Sequence, residues 1–166
     1  MKKIIILVIL TLCTIFFLSR MTYEQQTIVP ELRHLLHNEP FKEQLSKIEF
    51  TYWDQTISIE TKGYVYFIEF LIRKGTHFSG YGIVGIILYL FYFGLKWRPA
   101  PLLAIFSVFI IGSIDEYIQY HIPGRTGIFD DVIIDTCGAI LFVTIFSLIH
   151  QIYLKKKKKR RKNKSA

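Results

Sequence analysis

Three separated clusters of ionisable residues interrupt an otherwise apolar chain, and their types and spacing are suited to chemistry. Arg73, His77 and Tyr81 recur at intervals of four, which sets them on one face of a helix with Lys74 beside them. Asp115, Glu116, Gln119 and His121 follow, with Asp115 and Gln119 again four apart, and lead into the turn-forming run Pro123, Gly124, Arg125, Thr126, Gly127. Asp130 and Asp131 then open another apolar segment, placed to cap its N-terminus and favoured there by the helix dipole, and Asp135 lies one turn deeper. Such a set can hold an anion, move a proton, or neutralise itself internally. No nucleophile elbow, glycine-rich phosphate loop or phosphatase signature accompanies it, and His77 with the carboxylates is too loose a set to define a metal site, so no metal and no cofactor is assigned.

The elements that must position these residues are membrane helices. Apolar residues make up 51% of the 166 residues. They come in long blocks separated by charge, which is a membrane composition. Ile4 to Leu18 follows Lys2 and Lys3 and is apolar except for two Thr and Cys13, so it reads as either a secretory signal or an uncleaved anchor. The bulky run Phe16, Phe17, Leu18 before Ser19 and Arg20 disfavours cleavage, and the anchor is preferred. Fifteen residues at about 1.5 Å each fall short of the roughly 30 Å hydrocarbon core, which requires Lys2, Lys3 and Arg20 to snorkel. Three further spans are expected at about 76–95, 100–114 (helical to roughly Tyr120) and 132–154, with Trp97, Arg98, Pro99 and Pro101 in the tight turn between the first two.

Between the first and second spans the chain is polar, with a helical stretch around Glu31 to Leu36. Alternating apolar positions then flank Trp53, Asp54, Gln55 and Thr56, the pattern of a short amphipathic β-hairpin on the membrane surface. From Gly63 to Lys74, Tyr64, Tyr66, Phe67 and Phe70 mix with Glu69 and Arg73, as in an interfacial helix. The expected fold is therefore an all-α membrane protein of about four spans: an anchor over 1–19, an extracytoplasmic segment over 20–62, a three-span domain over 63–154 and a polybasic tail over 155–166.

The net charge of +8 belongs to that tail. Nine of the 21 basic residues lie between Lys155 and Ala166 without an acid, and subtracting them from +8 leaves −1 for the rest. Directly after an apolar helix this reads as a cytoplasmic stop signal that contacts anionic lipid, worth about 1 kcal/mol per basic residue. With no folded nucleic-acid module in the sequence, nucleic acid is excluded as a partner. Cys13 and Cys137 both sit in apolar runs, so no disulfide is implied.

Lys2 and Lys3, then Lys96 and Arg98, then the tail fall on one side of a four-span topology, which the positive-inside rule assigns to the cytoplasm, with both termini there. Segments 20–75 and 115–131 then face outward together, and Arg73 with Lys74 is the local violation. Ionisable groups at the hydrocarbon boundary are costly unless paired, so Arg73, Lys74, His77, Tyr81, Asp115, Glu116, Gln119, Arg125, Asp131 and Asp135 are expected to form a network or to line a wet cavity. The bland alternative is that Arg73 and Arg125 neutralise the carboxylates and clamp three helices. Gly80, Gly82, Gly85 and Gly138 are expected to be close-packing positions between helices, and small-residue faces of this kind suit homo-oligomers. His150, near the other end of the last span, is expected to be only interfacial.

In order and spacing, RKGTHFSGY from Arg73, DEYIQYHIPGRTG from Asp115 and DVIIDTCG from Asp131 resemble the VanZ-like family over about residues 63–150. Asp135 departs from the pattern, which commonly has Asn there. The resemblance implies a bacterial inner-membrane protein connected with reduced susceptibility to teicoplanin, a glycopeptide that carries a fatty acyl chain and acts at the outer surface. Because no enzyme signature accompanies the cluster, a non-enzymatic envelope protein that binds a lipid-linked or lipoglycopeptide ligand ranks first. A membrane-edge enzyme acting on a lipid-linked phosphate or sugar, with His77 or Glu116 as general acid or base, ranks second. A transporter ranks last, because the polar residues gather at one face and not at the bilayer midplane.

Overall fold

The computed structural model describes residues 1–164; Ser165 and Ala166, the end of the expected basic tail, lie outside the described residues. Four helices are long and apolar enough to cross a membrane: α1 (Lys2–Ser19), α6 (Tyr64–Gly94), α7 (Ala100–Tyr120) and α8 (Phe129–Lys164). Between the first two lie short helices α2 (Tyr23–Gln26), α3 (Val29–Leu35) and α4 (Lys42–Leu45), the strands β1 (Phe50–Tyr52) and β2 (Gln55–Ile57), and α5 (Ile59–Lys62). The chain is a helical, multi-pass membrane protein with one small antiparallel hairpin.

Helix α6 unites two segments that the sequence separates. Its 31 residues span roughly 46 Å at 1.5 Å each, well beyond a 30 Å hydrocarbon core, so the aromatic stretch from Tyr64 continues into the span without a break. Helix α8 likewise passes through the expected end of the fourth span at Leu154 and carries the basic segment as helix to Lys164. Pro101 sits in the first turn of α7, where its missing N–H costs nothing and its fixed φ suits the helix.

The bundle is built around α6, which packs against both α7 and α8, while α7 and α8 also pack on each other. Its core comprises Tyr81, Val84, Leu88, Ala104, Val108, Ala139 and Val143. Close approach depends on small residues. A Cβ at Gly138 would lie 1.9 Å from the Phe78 carbonyl oxygen, and one at Gly85 2.8 Å from Val143 Cγ2. Gly82 is similarly covered by Phe142, but a Cβ at Gly80 would meet nothing within 4 Å, so Gly80 is not the packing position expected of it. Helix α1 rests on α6 and α7 with most of its apolar surface uncovered.

The segment between α1 and α6 forms a cap over one end of the bundle. In the hairpin Phe50 pairs with Ile57 and Tyr52 with Gln55. Its turn residues Trp53 and Asp54 both have left-handed φ, 48° and 55°, as a tight two-residue connection demands. The hairpin does not lie free on a surface: the Phe50 and Tyr52 rings pack on Phe70 of α6, and Ile57, Ile59, Tyr64 and Phe67 make a second buried cluster beneath it.

Candidate functional site

All ten residues singled out above gather at the capped end of the bundle. Asp115, on α7 and 5% exposed, has both oxygens satisfied. Its Oδ2 accepts from the Tyr81 hydroxyl of α6 and from Gln119 Nε2 one turn on, each at 2.8 Å, and its Oδ1 accepts from Ser19 Oγ at the end of α1. Three helices thus meet at one carboxylate.

The basic residues do not pair as the scaffold alternative requires. Lys74 is the residue that meets a carboxylate, Asp131, which also accepts from the Tyr52 hydroxyl. Arg125 donates to the amide oxygens of Gln26 and Gln119, while the Arg73 guanidinium lies over the Tyr23 ring, 5.2 Å from its centroid. Among the described residues neither arginine makes an ion pair. Burial, and next the nearby positive charge of Arg73, lower the pKa of the Arg125 guanidinium. Two partly buried cations that make no direct ion pair with a carboxylate are a ready anion site.

Asp130 and Asp131 lie in the first turn of α8, inside its start at Phe129 and not at its N-cap position, and their side chains hold the overlying segment instead. Asp130 Oδ2 accepts the Trp53 backbone N–H at 3.0 Å, which fixes the hairpin tip against the start of α8. Burial, and then the hydrogen bond to Asp131, raise the pKa of the Tyr52 hydroxyl above its ordinary value, so it stays a donor. The turn after α7 is drawn in by Gly127, where a Cβ would lie 2.0 Å from the Glu116 carbonyl oxygen. That approach lets the Ile128 N–H donate to Glu116 Oε2 at 3.0 Å.

Glu69 carries a role that its sequence context hid. It is 3% exposed and accepts from the Tyr23 hydroxyl at 2.6 Å, from Thr27 Oγ1 at 2.6 Å and from the Ile28 N–H at 3.1 Å. One carboxylate therefore ties the start of the cap to α6. Burial and then the Glu69 contact raise the pKa of the Tyr23 hydroxyl. His121 is an exposed residue at the end of α7 and joins no part of this network beyond the Tyr117 carbonyl. His150, at the far end of the bundle, meets the Tyr89 hydroxyl at 3.0 Å.

Two cavities meet here. A polar one of about 290 Å³ lies under the cap, walled by Tyr23, Trp53, Glu69, Lys74 and Asp131 among others. An apolar one of about 830 Å³ runs between α1 and α6, along Leu7, Leu10, Ile83 and Ile87 past Gly80. Arg73, His77, Gln119 and Arg125 line both. The open space at Gly80 belongs to this groove, which explains why that glycine packs against nothing.

Four apolar spans, a cap between the first and second, and a buried polar cluster at one end of the bundle define a multi-pass membrane protein. The chain belongs to the VanZ/LLP1 family, whose model matches residues 4–150. No curated protein and no solved structure gives a significant match. The family match reaches well upstream of the three motifs that carry the resemblance. It includes α1 and the cap, the elements that contribute Ser19, Tyr23, Gln26 and Thr27 to the network.

Proposed function

We propose that this chain is a non-enzymatic cell-envelope protein of the bacterial cytoplasmic membrane that binds an acylated amphiphile at the outer face and so modulates susceptibility to teicoplanin. The observation that carries the reading is the junction of the two cavities. The apolar groove between α1 and α6 suits an acyl chain, and it runs into the polar cavity at Arg73 and Arg125, whose charges are not spent on carboxylates. An amphiphile lying in the groove would present its head group to both guanidiniums, and a head-group oxyanion there would relieve their mutual repulsion.

The outward placement of the cap rests on the distribution of basic residues: Lys2, Lys3, Lys96, Arg98 and the Lys155 to Lys164 segment all lie away from it in the topology. That puts both termini in the cytoplasm, the basic end of α8 against anionic lipid, and the cluster at the surface where teicoplanin acts. The uncovered apolar face of α1 suits contact with lipid or with a second copy of the chain.

A second reading, an enzyme acting on a lipid-linked phosphate or sugar, draws on His77, which lines both cavities and has carboxylates behind it. The two separate in cells. A sensitive Gram-positive host expressing wild type, Arg73→Lys or Glu116→Gln is tested for teicoplanin susceptibility with each protein quantified in isolated membranes. The binding reading expects wild type to protect and Arg73→Lys, present at equal level, to keep part of that protection. Loss of all protection in an abundant Glu116→Gln variant, with ligand binding intact, favours the enzyme. No protection from abundant wild type overturns the teicoplanin assignment.

A further inference from the structure

A second feature adjoins the two cavities, sharing His77 with both and Asp115 with the apolar groove. A ring nitrogen of His77 of α6, carboxylate oxygens of Asp115 and Glu116 of α7, and one of Asp135 of α8 lie within 4.8 Å of one another. Acidic clusters alone are common, but this one has atoms left over. Both oxygens of Asp135, which is 0% exposed, and Oε1 of Glu116, which is 4% exposed, have no hydrogen-bond partner, nor does His77 Nδ1. The His77 nitrogen is 3.3 Å from Asp135 Oδ1, close enough for ionic contact but not in hydrogen-bonding geometry.

We infer that His77, Asp115, Glu116 and Asp135 form a binding site for one divalent transition-metal ion between α6, α7 and α8. Buried polar atoms are almost always satisfied, and an unpartnered buried carboxylate oxygen is among the costliest exceptions. Even a protonated His77 offsets one of three carboxylates, whereas a divalent ion offsets two and gives Glu116 and Asp135 the partner each lacks.

The size is right. Contacts of about 2.1 Å place trans ligands of an octahedral ion about 4.2 Å apart and ligands of a tetrahedral ion about 3.4 Å apart, so atoms that lie within 4.8 Å of one another need to draw in by about 0.3 Å each for the first and about 0.7 Å each for the second. The wider spacing alone would suit Ca²⁺, but an imidazole nitrogen in the set selects against Ca²⁺ and Mg²⁺ and for Mn²⁺ or Zn²⁺. The surroundings also resemble an ordered outer shell. The Ile128 N–H holds Glu116 Oε2 and leaves Oε1 turned inward, while Ser19, Tyr81 and Gln119 fix Asp115.

The test uses the full chain in lipid nanodiscs, stripped with chelator, loaded separately with Mn²⁺, Zn²⁺ or Ca²⁺, desalted, and measured for metal content. Wild type is expected to keep a single Mn²⁺ or Zn²⁺ per chain and no Ca²⁺, with occupancy falling at least about tenfold in Asp135→Asn and in Glu116→Gln. Because either variant can fail to fold, the Mn²⁺-loaded wild type is also examined by pulsed EPR for coupling to a histidine nitrogen. Retention of no transition ion by wild type overturns the site. So does a bound Mn²⁺ without nitrogen coupling, or full occupancy in both folded variants.

Discussion

Replacing Glu69 with Ala removes the single acceptor that fastens the start of the cap to α6, and the consequence can be worked out donor by donor. Three groups lose their partner: the Tyr23 hydroxyl, the Thr27 hydroxyl and the Ile28 N–H. A hydrogen bond to an ionised group is worth about 1.5–3 kcal/mol. The two hydroxyls can rotate to other acceptors or water, but the backbone N–H cannot. A net cost of roughly 3–5 kcal/mol is expected for Glu69→Ala, and about 1–2 kcal/mol for Glu69→Gln, which keeps an acceptor but loses the charge. The bundle core from Tyr81 to Val143 does not touch Glu69, so the cost falls on local opening of the cap. Hydrogen exchange of the protein in nanodiscs reads this directly. In Glu69→Ala the amides of residues 23–28 should exchange about a hundredfold or more faster, while those around Ala104 and Val108 keep wild-type rates; Glu69→Gln should lie between. Unchanged protection over 23–28 in Glu69→Ala would refute the anchoring role.

Glycine positions give a graded pair of expectations. Gly138→Ala drives a Cβ into the Phe78 carbonyl and should force α6 and α8 apart, costing on the order of 2–4 kcal/mol and reducing the amount of folded protein recovered from membranes. Gly80→Ala adds a methyl to open space and gains helix propensity, so its thermal midpoint in detergent should equal or slightly exceed that of wild type.

The spans, the hairpin and the three polar motifs were legible in the sequence because each rests on local periodicity. Positions four apart share a helix face, and alternation about Trp53 and Asp54 sets the hairpin. What could not be read locally is who meets whom. Ser19 and Gln26 sit in polar surroundings with no period, yet they complete the partners of Asp115 and Arg125 from the far end of the chain. Glu69 looks interfacial among aromatics and becomes buried because the cap folds over it. The charge pairing is predictable in sum but not in detail: Lys74 pairs with Asp131, a role that the scaffold alternative gives to the arginines. His77 and the carboxylates, too loosely spaced along the chain to form a recognisable metal motif, converge only once α6, α7 and α8 are packed at Gly138 and Gly85. Three-helix convergence leaves no one-dimensional signature.

Binding of an acylated ligand to the purified protein decides whether the apolar groove and the two arginines form one amphiphile site. Fluorescently labelled teicoplanin and its deacylated core are titrated against the full chain in nanodiscs and against empty nanodiscs, with Gly80→Phe to fill the groove and Arg73→Gln to weaken the head-group site. The account predicts saturable binding of the acylated form and much weaker binding of the core, since each buried CH₂ contributes about 0.8 kcal/mol. Gly80→Phe should abolish the difference between the two forms, and Arg73→Gln should weaken both by roughly ten- to a hundredfold. Equal binding of the two forms to wild type, or binding indifferent to both substitutions, would contradict it.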